Sequence, residues 1–202
     1  MVLIVKPGMH VPIFKAVGMS QVRAHNKKNP VSNIGVNSGC FAPQGELVVV
    51  PKVESTNFTC AYTTGLGPCV GLIVVEQNKV GCAHFDEDAA HNAALPGFLS
   101  KQFTDVRFIA MFGSNIKDEN GNTSNPTTGA VVKHIQSANL TKDVIFIPNV
   151  SEGAYFFSSD LLTFRIKTQD GYDKRSQGAN YFNIKQSPPI AISHDAAVTY
   201  QG

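Results

Sequence analysis

Residues Thr63 to Phe85 read TTGLGPCVGLIVVEQNKVGCAHF. A glycine-rich turn leads into two apolar runs separated by a polar turn. Val70 to Glu76 is short, apolar and β-branched, the pattern of a strand. Gln77-Asn78-Lys79 is polar and suits a turn, and Val80 to Phe85 returns as the partner strand. With Gln77-Asn78 as a two-residue loop, Glu76 pairs with Lys79 and Gly71 lies opposite His84. Cys69 is two residues from Gly71, so it shares a face with His84. The two then form a diagonal cross-strand pair, roughly 7–8 Å apart at the backbone before the side chains extend. An odd-length loop without a bulge puts them on opposite faces, so the reading depends on register.

The turn before Cys69 suits a nucleophile. Gly65 and Gly67 permit backbone angles closed to other residues. A strained glycine turn can aim backbone N–H groups at one spot and stabilise an oxyanion. Pro68 stiffens the approach and removes one donor. A thiol with an ordinary pKa of about 8.5 needs a neighbour to become a thiolate. A histidine supplies that, and can then protonate a leaving group. The plainer alternative is that Cys69 is a small buried hydrophobe, as free cysteines usually are. Thr63 has a plain reading too, as a strand threonine whose β-branch favours pleated structure. Thr64 takes its place if the register slips.

The pattern T-x-G-L-G-P-C-V (Thr63 to Val70), with His84-Phe85 fifteen residues after the cysteine, resembles the active-site pattern of the CheD chemoreceptor glutamine deamidases. A similar thiol–imidazole arrangement occurs in cytotoxic necrotizing factor catalytic domains and lethal-factor deamidase toxins. The resemblance implies Cys69 as nucleophile, His84 as base and Thr63 as the residue that orients the ring. Gly65, Gly67 and Pro68 form the accompanying turn. It extends more weakly over residues 60–168, through Val106–Gly113, Gly129–Leu140, Val144–Ile147 and Leu162–Lys167. In CheD proteins an apolar stretch ending in proline follows the histidine; here Phe85-Asp86-Glu87-Asp88 follows. Residues 1–57 and 170–202 have no counterpart. These departures point away from chemoreceptors and towards a toxin or effector with another target. No metal or organic cofactor is implied. The partner is a protein bearing an exposed glutamine.

The 202 residues suit one domain, and 43% hydrophobic with 16% charged residues describe an ordinary globular chain. A net charge of +2 gives no electrostatic case for nucleic acid. Only Arg23, His25, Lys27 and Lys28 cluster, most simply as a solvated loop. The apolar start before Lys6-Pro7-Gly8 is too short for a signal core, and no run reaches membrane-span length. The expected location is cytoplasmic, or a host cell after delivery. Four cysteines (Cys40, Cys60, Cys69, Cys82) show no C-x-x-C spacing and read as reduced thiols. Cys69, Cys82 and His84 share a face, but their spacing matches no standard zinc site.

Outside the hairpin, Leu47 to Val50 and Val106 to Phe112 read as buried strands. Phe58 to Thr63 is a strand that delivers Thr63, and Val144 to Pro148 is another. Asp86 to Ala94 reads as a helix whose acidic start suits the helix dipole, broken by Pro96-Gly97. Ser114 to Thr128 is a long polar loop and a substrate-contact candidate. Gly129 to Leu140 reads as a helix with Val131, Ile135 and Ala138 on one stripe and His134 beside it. Tyr155 to Lys167 holds a strand pair or one long strand, and Asp170 to Gln177 is turn-rich. Ile184 to Ile192, with Pro188-Pro189, reads as an edge or extended tail. Strands outnumber helices, so the expected class is α+β: a mixed β-sandwich with a few flanking helices. A non-catalytic sandwich used for binding and a peptide- or amide-cleaving cysteine hydrolase are the competing functional classes.

Overall fold

Val70–Glu76 and Lys79–Phe85 pair antiparallel at the centre of a seven-stranded sheet in the computed structural model. The structure describes residues 32–34, 39–52, 58–113, 126–140, 144–148, 150–157, 160–164, 166–168, 172–176, 178–194 and 197–199. In chain order come β1 (Ser32–Ile34), β2 (Gly39–Phe41), β3 (Glu46–Pro51), β4 (Cys60–Thr63), β5 (Val70–Glu76) and β6 (Lys79–Phe85). Two helices follow, α1 (Glu87–Ala90) and α2 (Leu95–Gln102), then β7 (Val106–Gly113), α3 (Pro126–Ser137) and β8 (Val144–Pro148). Short strands complete the described chain: β9 (Gly153–Phe156), β10 (Leu161–Thr163), β11 (Ile166–Thr168), β12 (Tyr172–Lys174), β13 (Asn180–Asn183), β14 (Ile190–Ile192) and β15 (Ala197–Thr199).

The larger sheet has the order β14-β13-β3-β6-β5-β7-β8, and a four-stranded sheet has the order β10-β9-β4-β2. Alternation along β5 explains the layering. Val70, Leu72 and Val74 turn to one face and pack with Leu95, Leu99, Val131 and Ile135 of the helices. Cys69, Ile73 and Val75 turn to the other and pack with Ala61 and Tyr155 of the smaller sheet. A strand buried on both faces needs a continuous apolar run, which is what residues 70–75 supply. The result is a mixed β-sandwich with helices on the outer face of the larger sheet. The β7–α3–β8 unit makes the parallel pair that such a crossover requires.

Phe112 of β7 locks the hairpin to the smaller sheet. A Cβ on Gly71 would lie 2.4 Å from its Cε2, and a Cβ on Gly153 would meet the same atom at 2.4 Å. Only glycine lets the ring lie between β5 and β9 at this spacing.

Most element expectations hold, and several need correction. Asp86 to Ala94 is not one helix: α1 ends at Ala90, and a second helix begins at Leu95. Pro96 and Gly97 open that second helix. Proline is tolerated in a first turn, where the N–H it lacks has no helical partner. The polar loop expected over Ser114 to Thr128 is cut short by α3, which starts at Pro126. Residues 114–125, like the basic cluster at 23–28, lie outside the described residues. Val131, Ile135 and Ala138 are buried as the stripe requires. Strand β12 interrupts the expected turn region, and Asn180–Asn183 is a strand that pattern alone missed. Ile190–Ile192 is the edge strand anticipated from the two prolines. Among the described residues, no helix is long and apolar enough to cross a membrane.

Candidate active site

The register is the even one. Gly71 pairs with His84 and Val70 with Phe85, so Cys69 and His84 lie diagonally across the hairpin on one face. That face looks onto the smaller sheet, and Thr63 enters from there. In β4, Ala61 and Thr63 share the inner face, while Cys60 and Tyr62 pack outside. Thr63 and His84 thus meet at the junction of the two sheets, with Cys69 on the same face of the hairpin.

Thr63 fixes the imidazole. Its Oγ1 lies 2.8 Å from the carbonyl oxygen of Ala42 and 3.0 Å from Nδ1 of His84. A hydroxyl has one proton, and a carbonyl can only accept. The proton therefore goes to Ala42, and Nδ1–H of His84 donates to Oγ1. That assignment leaves Nε2 as an unprotonated acceptor. Nε2 is buried and has no hydrogen-bond partner among the described residues, so no bond joins it to the Cys69 thiol in this state. Thr64, the alternative third member, does not reach the ring; its Oγ1 is buried without a partner.

The histidine backbone is held as well. Gly45 N–H donates to the His84 carbonyl at 2.8 Å, and Gln44 forms a bridge to the same residue. Both anchors come from the turn before β3, which needs a left-handed residue at Gly45 with φ of 76°.

Cys69 lies just under the surface, beneath the exposed Gly67-Pro68 turn, and is 6% exposed. His84 is 4% exposed. In the turn, Gly65 takes φ of 74° and the Gly67 N–H donates to the Gly65 carbonyl at 2.9 Å. The expected donor at Gly67 is thus committed within the turn. Pro68 has no N–H, so among Gly67, Pro68 and Cys69 only the N–H of Cys69 remains as a candidate oxyanion donor.

Two charged residues that sequence reasoning did not assign to the site border it. Asp86 caps α1, its Oδ1 accepting from Ala89 N–H at 2.9 Å, and Gln44 Nε2 donates to its Oδ2 at 3.0 Å. The Lys185 ammonium pairs with the same oxygen. Burial alone would raise the Asp86 pKa, but the bonds from Lys185, Ala89 and Gln44 outweigh it and hold the carboxyl below its usual range. Burial pushes the Cys69 thiol up, the Asp86 carboxylate adds to that, and Lys185 opposes it. Burial pushes His84 down to about 4, with Asp86 opposing and Lys185 adding. At neutral pH the resting pair is a neutral thiol beside a neutral imidazole. The signal for Asp86 was present in sequence, since it lies two residues beyond His84 on the same strand course. Lys185, about a hundred residues later, carried no such signal.

The remaining candidates take structural places. Cys40, Cys60 and Cys82 are buried free thiols. Burial pushes Cys40 and Cys60 up to about 12, and Cys82 well above its ordinary value. His134 joins α3 to α1 through Nε2 and the Ala90 carbonyl at 2.7 Å. Among the described residues, no group of three or more His, Cys, Asp or Glu side chains is placed to hold a metal. An open groove of about 900 Å³ runs between α1 and the Lys185–Ser187 segment, with Asn92 in its lining; Cys69, His84 and Thr63 do not line it. The chain matches no protein-family model, and no curated protein is significantly similar to it.

Proposed function

We propose that this chain is a protein-glutamine deamidase with Cys69 as nucleophile, His84 as base and Thr63 as the residue that sets the tautomer. The supporting observation is the Thr63 hydroxyl between Ala42 and Nδ1 of His84. It leaves a buried lone pair at Nε2 on the face that Cys69 shares. A neutral imidazole with a free acceptor nitrogen on the thiol's face can take its proton and pass it on, and substrate binding has to offset the burial that makes it a weak base in the resting state. Catalytic hydrogen bonds are often long before substrate binds, and the missing thiol–imidazole bond fits that pattern.

In the reaction, the Cys69 S–H proton moves to Nε2 while sulfur attacks the carboxamide carbon of the target glutamine. The Cys69 N–H stabilises the oxyanion. The C–N bond then breaks, Nε2–H protonates the departing nitrogen, and ammonia leaves. The thioester is hydrolysed by a water whose proton goes to Nε2, giving glutamate and the free thiol. The target gains one negative charge, which alters its pairings by electrostatics. The partner is a protein with an exposed glutamine, and the role is that of a toxin or effector rather than a chemoreceptor-directed enzyme.

The test incubates candidate target proteins with the wild type, Cys69→Ser and His84→Ala. The amide-to-acid mass change should appear only with the wild type. Ammonia release that persists undiminished in both variants removes the mechanism.

A second reading, a non-catalytic sandwich module, is favoured by one observation: Cys69 is nearly covered and its thiol makes no bond to Nε2. Iodoacetamide separates the two. An activated Cys69 reacts fast at neutral pH and slows in His84→Ala, while a core Cys69 reacts slowly in both.

A further inference from the structure

The pairing sets Gly71 against His84 and Val70 against Phe85, its last pair; extended by one residue, the same register puts Cys69 opposite Asp86. The backbone of Asp86 is still extended, with φ of −89° and ψ of −175°, so strand geometry reaches it before α1 begins. Asp86 also follows His84 by two residues and projects to the same side. The register thus brings the Asp86 carboxylate to the thiol's side of the hairpin. A negative charge there opposes thiolate formation.

Lys185 cancels that charge, and the fold holds it in place to do so. Asn92 Nδ2 donates to the carbonyls of Ile184, at 2.9 Å, and Gln186, at 2.6 Å, fixing both neighbours of the lysine. Ile184 N–H donates to the Gly45 carbonyl at 2.9 Å, and Lys185 N–H to Asn183 Oδ1 at 3.0 Å. The lysine stem crosses Gly45 so closely that a Cβ there would lie 2.2 Å from Cε. Its ammonium ends on the Asp86 carboxylate.

Resting on the deamidase reading above, we propose that Lys185 is a positioning residue for Cys69: its ammonium, clamped on Asp86, offsets the carboxylate opposite the nucleophile so that a thiolate can form. Among the described residues, the charged and titratable groups on the thiol's side are Asp86, His84 and Cys82 from the hairpin and Lys185 from the segment after β13. Gln44 and Thr63, from the neighbouring elements, are neutral. The direction of the Asp86 and Lys185 effects on Cys69 agrees with this geometry.

The test is the pH dependence of Cys69 alkylation by iodoacetamide in the full chain, read by peptide mass mapping. Lys185→Gln should move the profile upward by about one pH unit, roughly a tenfold loss of thiolate at fixed pH. Asp86→Asn keeps a capping side chain and should move it downward by about as much. The double variant should return close to wild type, and Lys185→Arg should stay there. Asp86→Asn carries the test if Lys185→Gln fails to fold. Profiles that do not move, or move in one direction for both single variants, overturn the proposal. If His84→Ala still slows alkylation in that case, the thiol–imidazole reading survives it. If His84→Ala has no effect while the opposite shifts appear, the deamidase reading fails and the charge device stands.

Discussion

Thr63→Val tests the core of the site without assuming any reaction. Valine keeps the shape of threonine and removes the hydroxyl. In the structure that hydroxyl serves two buried groups, the Ala42 carbonyl at 2.8 Å and Nδ1–H of His84 at 3.0 Å. Thr63 is fully buried, so water does not replace it. Each buried group left without a partner costs about 1–3 kcal/mol. A carbonyl has a second lone pair and loses less, so the expected total is about 2–4 kcal/mol. Thr63→Ser keeps both bonds and loses one methyl, at about 1 kcal/mol. Urea unfolding at pH 7.5 should therefore rank the wild type above Thr63→Ser, and Thr63→Ser above Thr63→Val. Without its anchor the ring can also turn or change tautomer, and Nε2 need no longer be the acceptor. Under the proposed deamidase function, which the stability ranking does not need, loss of a positioned general base lowers rate by about 10²–10⁴, so deamidation and Cys69 alkylation should fall by that order in Thr63→Val. Thr63→Ser should retain most of both. A Thr63→Val protein at least as stable as Thr63→Ser refutes the hydrogen-bond assignment, whatever the activity.

Three further outcomes follow from the same coordinates. His84 is pushed down to about 4 in the folded chain from an ordinary value of 6.5, so the unfolded chain binds more protons between those limits. Its contribution is present above about pH 6.5 and is lost as pH falls towards 4, up to about 3 kcal/mol; urea midpoints at pH 7.5 and 4.5 should differ less in His84→Asn than in the wild type. Native-state alkylation should label Cys69, at 6% exposure, well before Cys40, Cys60 and Cys82, which are 0% exposed; equal labelling of all four would contradict the packing. Gly71→Ala drives a methyl to 2.4 Å from Phe112 Cε2 and 2.9 Å from Leu66 Cδ1, so unfolding measurements should show a loss of about 1–3 kcal/mol, partly restored by Phe112→Leu.

The hairpin was legible because its information is local. A two-residue polar turn between apolar runs sets the register, and register alone puts Cys69 and His84 on one face. Thr63 was reachable only through the resemblance, since a threonine at a strand end has no distinguishing local pattern. The start of α2 was misread because Pro96-Gly97 marks a boundary without saying on which side the helix lies. Asp86 was read as a cap, which it is, and its second role follows from the register two residues past His84. Lys185 was illegible. Its place depends on Asn92 holding residues 184 and 186, and on the left-handed turn at Gly45, contacts that span most of the chain.

The Nε2 of His84, without a hydrogen-bond partner among the described residues, is the atom on which the deamidase and scaffold readings differ. A buried polar atom without a hydrogen bond costs about 1–3 kcal/mol, and native cores avoid the expense. The same fold leaves Thr64 Oγ1, Thr128 Oγ1 and Thr163 Oγ1 buried without a partner among the described residues, so it is the place of Nε2 on the face that Cys69 shares that favours the deamidase reading. Here the arrangement goes further, since Thr63 and Ala42 spend a buried hydroxyl and a carbonyl on fixing which nitrogen stays bare. The bare nitrogen then faces the side of the hairpin that carries Cys69, under an exposed glycine–proline turn. A neutral thiol and a neutral imidazole are the resting forms such burial dictates, and they suit a reaction in which the base takes the proton only as sulfur attacks. On the deamidase reading that one requirement links the orphaned atom, the committed hydroxyl and the near-surface thiol, and the Cys69→Ser and His84→Ala variants decide between it and a packing role.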